Sequence, residues 1–412
     1  MGIPSLCIPA SLIISTVVSR CMSDAQLFPV TVVGSWPRPS WLIQALRKRQ
    51  SGELSFEEFN AVADDAVLSS VKYQEDAGVD IVTDGEQRRD NFYSFVVEKL
   101  DGIRLMTVTQ LLEHVKDRAA FEETLRALDV PAFAMKSPVA VSEIRARSNL
   151  AVDELRFLKA HTLRKTKVPL PGPYMLTRSS WFPGLSDGAY PEIEQLGREV
   201  SAILHREVLA LKEEGADFVQ FDEPILSQVV YGAEGAETFM CAALASRKDP
   251  TEELSYALEL MNQTLRGISG IKLGVHVCRG NWSRKEDVLL KGNYGPLLPY
   301  LMEMKVDQLV LEFATPRAGE LEVFKEYGDE KELGLGVVNP RSPEVESPEL
   351  IEKRVGVATK FFDPSKLYLN PDCGFGTFAE RPVNDANTAF AKLRSISQAS
   401  AMLNRRKVEL PA

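Results

Sequence analysis

His276 and Cys278 fall two positions apart in GVHVCRGNW, residues 274–282, although the 412-residue chain holds only four histidines and five cysteines. In an extended segment, residues i and i+2 point to the same side, so this imidazole and thiol can face one ion. The pair alone is a weak signal, because a buried cysteine often serves as a small hydrophobe. It gains weight from other reactive side chains that end apolar runs. In chain order those ends carry Ser35, Glu86, Gly172, Asp222, His276 with Cys278, Glu312, Asn339 and Cys373.

Four of these side chains suit zinc. His276, Cys278, Glu312 and Cys373 offer one imidazole, two thiolates and one carboxylate, all accepted in tetrahedral coordination. Two thiolates and a carboxylate leave the ion electron-rich and a poor Lewis acid toward carbonyls. Such a centre suits a different task, which is to bind a substrate thiol, lower its pKa and keep the thiolate nucleophilic. The implied chemistry is alkylation of sulfur rather than hydrolysis.

These residues need a scaffold that brings distant run ends together. The apolar runs are 28–35, 79–86, 167–173, 216–224, 271–278, 307–314, 333–340 and 366–373. Most are separated by stretches of helical period, such as EIEQLGREVSAILHREVLALKEEG (192–215), which stops on Gly215 as a C-terminal cap would. Eight buried-type strands, each followed by a helix, predict an α/β fold of the (β/α)8 TIM-barrel type, whose chemistry sits at the C-terminal ends of its strands. Two intervals exceed a simple crossover and read as insertions after strands 2 and 4. Residues 101–166 suggest a helix plus a hairpin around VPAFAMKSPVAVSEI, and residues 225–270 a long loop at VVYGAEGAETF before a helix.

Composition sets the boundaries. A net charge of −10 with no domain-scale basic patch argues against nucleic-acid binding. Five irregularly spaced cysteines do not form a secreted disulfide framework, so a cytoplasmic location is expected. The apolar stretch LCIPASLIISTVV is too short to span a bilayer and lacks a basic flank. Residues 1–21 are read as a leader, with Met22 opening a single domain over 22–412 and no membrane association. In NWSRKED (281–287), Ser283 and Glu286 have capping-box spacing. His114, His161 and His205 lie in helical patterns and read as structural.

Taken together, TVVGSWPRP (31–39), AGVDIVTDGEQRRDNF (77–92), QFDEP (220–224), HVC (276–278), LEFATPR (311–317) and LNPDCGFGT (369–377) resemble the catalytic barrel of the cobalamin-independent methionine synthases. The resemblance covers roughly residues 29 to 395, with the motifs in the family's order. It implies a catalytic zinc on His276, Cys278, Glu312 and Cys373, and homocysteine held by Ser35, Glu86 and Asp222. The carboxylates suit the substrate ammonium, and backbone N–H groups near Ser35 suit its carboxylate.

The sequence also departs from that pattern. Full-length family members carry a second, N-terminal barrel, for which this chain has no room. The strand-7 stretch that bears a histidine in the family reads Asn339-Pro340-Arg341-Ser342-Pro343 here. An arginine cannot donate a proton at neutral pH. Trp181 stands near the segment that stacks on the pterin in the family, at a different spacing, and Arg88 and Arg89 follow Glu86 as candidate contacts to a donor's anionic groups. The expected reaction is methylation of homocysteine by a methyl-tetrahydropteroylglutamate or a methyl-corrinoid, the latter with a possible accessory protein. The alternatives are a thiol transferase resembling the epoxide-opening enzyme that uses coenzyme M, and a non-catalytic zinc-stabilised barrel.

Overall fold

A computed structural model describes residues 26–114, 136–232, 249–281, 283–285, 289–328 and 330–409. The leader assigned to residues 1–21 lies outside them, as does Glu286 of the expected capping box; Ser283 accepts instead from the Lys285 backbone N–H at 3.0 Å.

Most of the apolar runs become strands of one curled, parallel sheet. Strand β1 is Ile81–Val82, and a separate antiparallel pair follows it, β2 (Leu100–Thr107) and β3 (Lys136–Ala146). The sheet continues with β4 (Lys165–Pro171), β5 (Phe218–Asp222), β6 (Lys272–Val277), β7 (Gln308–Leu311), β8 (Glu332–Val338) and β9 (Leu367–Pro371). Its order is β1-β4-β5-β6-β7-β8-β9, with every pair parallel. β5 is buried along its whole length and β6 along nearly all of it, which is why both read as continuous apolar runs rather than alternating ones.

The two edges of this sheet meet one segment. Thr31 bridges to Ile81 of β1 and Val30 to Leu369 of β9, both in parallel sense. The run expected as a strand over 28–35 therefore pairs only at these two residues. The reason lies in its next carbonyls, which are claimed by side chains: Val32 accepts from Lys167 Nζ at 2.7 Å, Val33 from Gln220 Nε2 at 2.9 Å, and Gly34 from Thr83 Oγ1 at 2.9 Å. Inside the curl, Val33, Phe218 and Val310 form an apolar plug. Gly274 makes space for it, since a Cβ there would sit 2.7 Å from the Phe218 ring.

The helices pack outside the sheet. Helix Phe56–Ala77 opens with a capping box between Ser55 and Glu58 and closes on Gly78 at φ 86°. Helix Ile193–Glu213 follows the predicted period, and Gly215 turns the chain at φ 80°. The final helix, Ala386–Glu409, reaches back to the start of the described chain. There Asn404 exchanges hydrogen bonds with the backbone of Leu27, and Ser400 Oγ donates to the Phe28 carbonyl at 2.8 Å.

The long interval after β1 contains β2, β3 and helix Val152–Ala160. The hairpin expected around residues 130–144 takes another form: β3 pairs with the distant β2, and residues 130–135 lie outside the described set. After β5 come helices Ile225–Tyr231 and Pro250–Thr264, while most of the predicted loop between them, residues 233–248, is not described. No helix among the described residues is long and apolar enough to cross a membrane.

Candidate metal and thiol site

Strand register assembles the centre of the site. Asp222 lies opposite His276, and His276 lies opposite Val310 on the next strand. Cys278 follows β6 directly, and Cys373 arrives from the loop after β9. Among the described residues, His276, Cys278 and Cys373 form a buried group whose ligand atoms all lie within 4.8 Å of one another.

The histidine is set for coordination. Its Nδ1 lies 3.0 Å from the Val310 carbonyl and must carry a proton to donate there, so the neutral imidazole has its lone pair on Nε2. That Nε2 is buried and has no hydrogen-bond partner. Burial works to lower the His276 pKa, but the neighbouring Cys278 thiolate, Asp222 and Glu312 carry it up to about 9. The two thiols titrate as a pair. The Cys373 S–H holds Cys278 well below the usual thiol range, against the effect of burial, while contact with Cys278 and burial push Cys373 up. One imidazole lone pair and two sulfurs make a soft donor set that fits zinc.

Glu312, expected as a fourth ligand, stands outside this group of three. Its Oε1 accepts from the Arg279 backbone N–H at 2.6 Å and from Asn281 Nδ2 in a short contact. Its Oε2 pairs with Arg317 at 2.9 Å, and both side chains are buried. Arg341 Nε in turn donates to Asn281 Oδ1 at 2.8 Å, so the predicted strand-7 arginine reaches the site through Asn281. Asn281 itself lines the central cavity, with no local sequence signal to mark it.

The carboxylates and hydroxyl expected for substrate line the same cavity: Ser35, Glu86 and Asp222. Glu86 adopts φ 53°, a left-handed conformation that is costly for a residue with a side chain. Gly34 yields space to its carboxylate, since a Cβ there would lie 2.2 Å from Oε1, and Oε2 is buried without a partner. Burial raises the Glu86 pKa to about 8, opposed by Arg89 and reinforced by Asp222. Burial likewise raises Asp222 to about 6, with His276 pulling the other way. Arg38 joins two walls of the site by donating to the Gly376 carbonyl at 2.6 Å and the Glu86 carbonyl at 2.7 Å. Val33, Phe92, Pro224 and Phe378 supply the apolar sides.

The remaining donor-side candidates sit elsewhere. Arg88 pairs with Asp64 and lies 4.6 Å above the Phe157 ring. Arg89 forms a buried ion pair with Glu154 at 2.6 Å and donates to the Pro169 carbonyl. Trp181 Nε1 donates to the Tyr190 carbonyl at 2.9 Å. The Asn339 side chain accepts from the Arg341 backbone N–H at 3.0 Å. None of the four lines the cavity. His161 and His205 spend Nδ1 on the Phe157 and Thr264 carbonyls, and His114 lies edge-on to Phe182. Glu223 of QFDEP has a structural task that its sequence context did not reveal. Its carboxylate accepts from the Tyr174 and Met175 N–H groups, both at 2.9 Å, and so caps helix Pro173–Ser180.

A curled parallel α/β sheet with buried thiols, an imidazole and carboxylates on one rim defines an enzyme of the barrel type. Comparisons with known proteins agree. Residues 28–400 match the family model described as cobalamin-independent synthase, catalytic domain. The chain is 30% identical to a methionine synthase of Saccharolobus solfataricus, over 86% of this chain and 90% of that protein. It is also 30% identical to a methionine synthase of Thermococcus kodakarensis, over 85% and 88% respectively. Among solved structures, a B12-independent methionine synthase from Shewanella in complex with selenomethionine superposes with a TM-score of 0.71 at 22% identity, covering 93% of this chain and all of that one. The chain belongs to the cobalamin-independent methionine synthase family, and it is an enzyme of the methyltransferase class.

Proposed function

We propose that the protein is a zinc-dependent methyltransferase that converts homocysteine to methionine on a (β/α)8 barrel whose first strand is the segment at Val30 and Thr31. The observation that carries this reading is the buried, unpartnered Nε2 of His276 within reach of the Cys278 and Cys373 sulfurs. Family membership and the names of the archaeal relatives support it.

In this reading His276, Cys278 and Cys373 hold the ion and leave one position for substrate, the pattern of catalytic rather than structural zinc. When bound there, zinc supplies a site for the homocysteine sulfur and lowers its pKa, so that the thiolate is the nucleophile at neutral pH. Asp222 and Glu86 take the substrate ammonium, and the bend at Ser35 faces its carboxylate. Glu312, tied to Arg317 and Asn281, fixes the loop that follows Cys278. The apolar walls exclude water from the thiolate and the approaching methyl group. The same carboxylate pair weighs against a sulfonated thiol such as coenzyme M, which has no ammonium to offer them.

A donor screen tests the assignment. Purified protein with zinc and homocysteine is incubated with methyl-folate mono- and polyglutamates, methylcobalamin or an epoxide, and products are read by mass spectrometry. Methionine formation with a methyl donor is expected. A thioether from the epoxide alone, or no product with any donor, overturns the reading.

A further inference from the structure

β4 carries a lysine where a barrel interior expects an apolar residue. Lys167 is 1% exposed, and its Nζ donates to the Val32 carbonyl at 2.7 Å and to Gln220 Oε1 at 3.1 Å. Gln220 is also fully buried, and its Nε2 donates to the Val33 carbonyl at 2.9 Å and to Asp222 Oδ1 at 2.8 Å. Gln220 and Asp222 stand at i and i+2 of β5, so both face inward, and Lys167 lies opposite Phe218 one step below. The result is an unbroken chain of side chains from the barrel interior to the rim.

The chain has a direction. A glutamine amide can turn over and present either its oxygen or its nitrogen. With a lysine below, the oxygen must face down, and the two N–H groups must then face the Val33 carbonyl and Asp222. The Val33 carbonyl and Asp222 favour the same orientation, and what the lysine adds is a donor for Oε1; without it that buried oxygen has no partner, and the amide is free to shift away from Asp222. Lys167 also ties down the Val32 carbonyl, three residues before Ser35. Burying an amine at this depth is costly unless it is hydrogen-bonded, and burial lowers the Lys167 pKa to about 7. A methionine would fill the same space without that cost, so packing alone does not account for the residue.

We propose that Lys167 is a positioning residue for substrate selection, which orients the Gln220 amide so that Asp222 is held ready for the amino group of the thiol substrate. The proposal rests on the reading of Asp222 as an ammonium ligand given above. It predicts an effect on one part of the substrate only, since the sulfur is held by other residues.

The test compares homocysteine with 4-mercaptobutyrate, the same thiol acid without its amino group, as ligands of the zinc-loaded enzyme. Lys167→Met, Gln220→Met, the double variant and Asp222→Asn are each measured for thiol affinity, with bound zinc as the check on an intact site. Lys167→Met should reduce the preference for homocysteine by roughly tenfold, the scale of one charge-assisted hydrogen bond. It should leave 4-mercaptobutyrate affinity and zinc content within about twofold, and Lys167→Arg should recover part of the preference. The double variant should lose no more than the worse single variant, because the two residues act in series. Equal weakening of both thiols, or additive losses, would mean a merely structural lysine and would overturn the proposal. A preference lowered by Asp222→Asn but untouched by Lys167→Met also overturns it, with the substrate reading intact. A preference untouched by either variant removes both.

Discussion

At the scale of single residues, the site combines groups that are each costly alone. Two thiols, an imidazole and two carboxylates share a buried rim, and their proton affinities are pushed apart accordingly. Cys373→Ser removes one of three close donors, so zinc affinity should fall at least about tenfold, read by competition with a chromophoric chelator. Glu86 yields a pH prediction with a definite sign. Its folded pKa of about 8 lies above the ordinary carboxylate value, so between the two values the native state holds a proton that the unfolded chain has lost. Stability from this group is therefore present at low pH and declines as pH rises toward 8. In metal-free protein, Glu86→Gln should match the parent near pH 5 and exceed it in urea resistance near pH 8. The polar types at the run ends were legible in the sequence because they close otherwise apolar runs. Their partners were not: Arg317 lies five residues past Glu312 around a turn, and nothing local announces that it claims the carboxylate. Asn281 and Arg341 are sixty positions apart and meet only through the fold.

At the scale of elements, glycines and caps decide how closely strands and helices approach the site. Gly172 stands between β4 and helix Pro173–Ser180, and a Cβ there would meet the Glu223 carboxylate at 2.2 Å. Gly172→Ala should displace the carboxylate that caps this helix and destabilise the protein by roughly 1–3 kcal/mol. Glu223→Gln, which retains one acceptor, should cost less; equal losses in denaturant titration would contradict this account. Five of the parallel strands were readable from sequence within two residues at each end, because buried strands carry continuous apolar runs, whereas the runs 79–86 and 307–314 overshoot the shorter Ile81–Val82 and Gln308–Leu311. The first run misled. FPVTVVGS has full strand character, but its carbonyls from Val32 onward serve Lys167, Gln220 and Thr83 rather than a neighbouring strand. Those claims come from 49 to 187 residues away and leave no local trace. The pairing of β2 with β3 was hidden for the same reason, with a long interval separating the partners.

At the scale of the molecule, the sheet depends on contacts between the two ends of the described chain. The segment at Val30 and Thr31 joins β1 to β9, and helix Ala386–Glu409 pins its approach through Asn404 and Ser400. Asn404→Ala would strand the Leu27 N–H and carbonyl, so it should lower unfolding free energy by about 1–3 kcal/mol and also weaken zinc retention, since the same segment pairs with β9, which leads to Cys373. Normal zinc retention despite reduced stability would show that the clamp and the site are uncoupled.

That clamp also sets a timetable for synthesis. The Leu27 backbone must wait for Asn404, 377 positions later, before it can be fastened. At typical elongation rates of about 5–20 residues per second, the wait is roughly 20 to 75 s. For most of that interval the nascent chain has neither the Cys373 thiol nor the last strand of the sheet, Leu367–Pro371. The rim therefore lacks one of its two sulfurs until residue 373 has been made, long after Ser35 and Glu86.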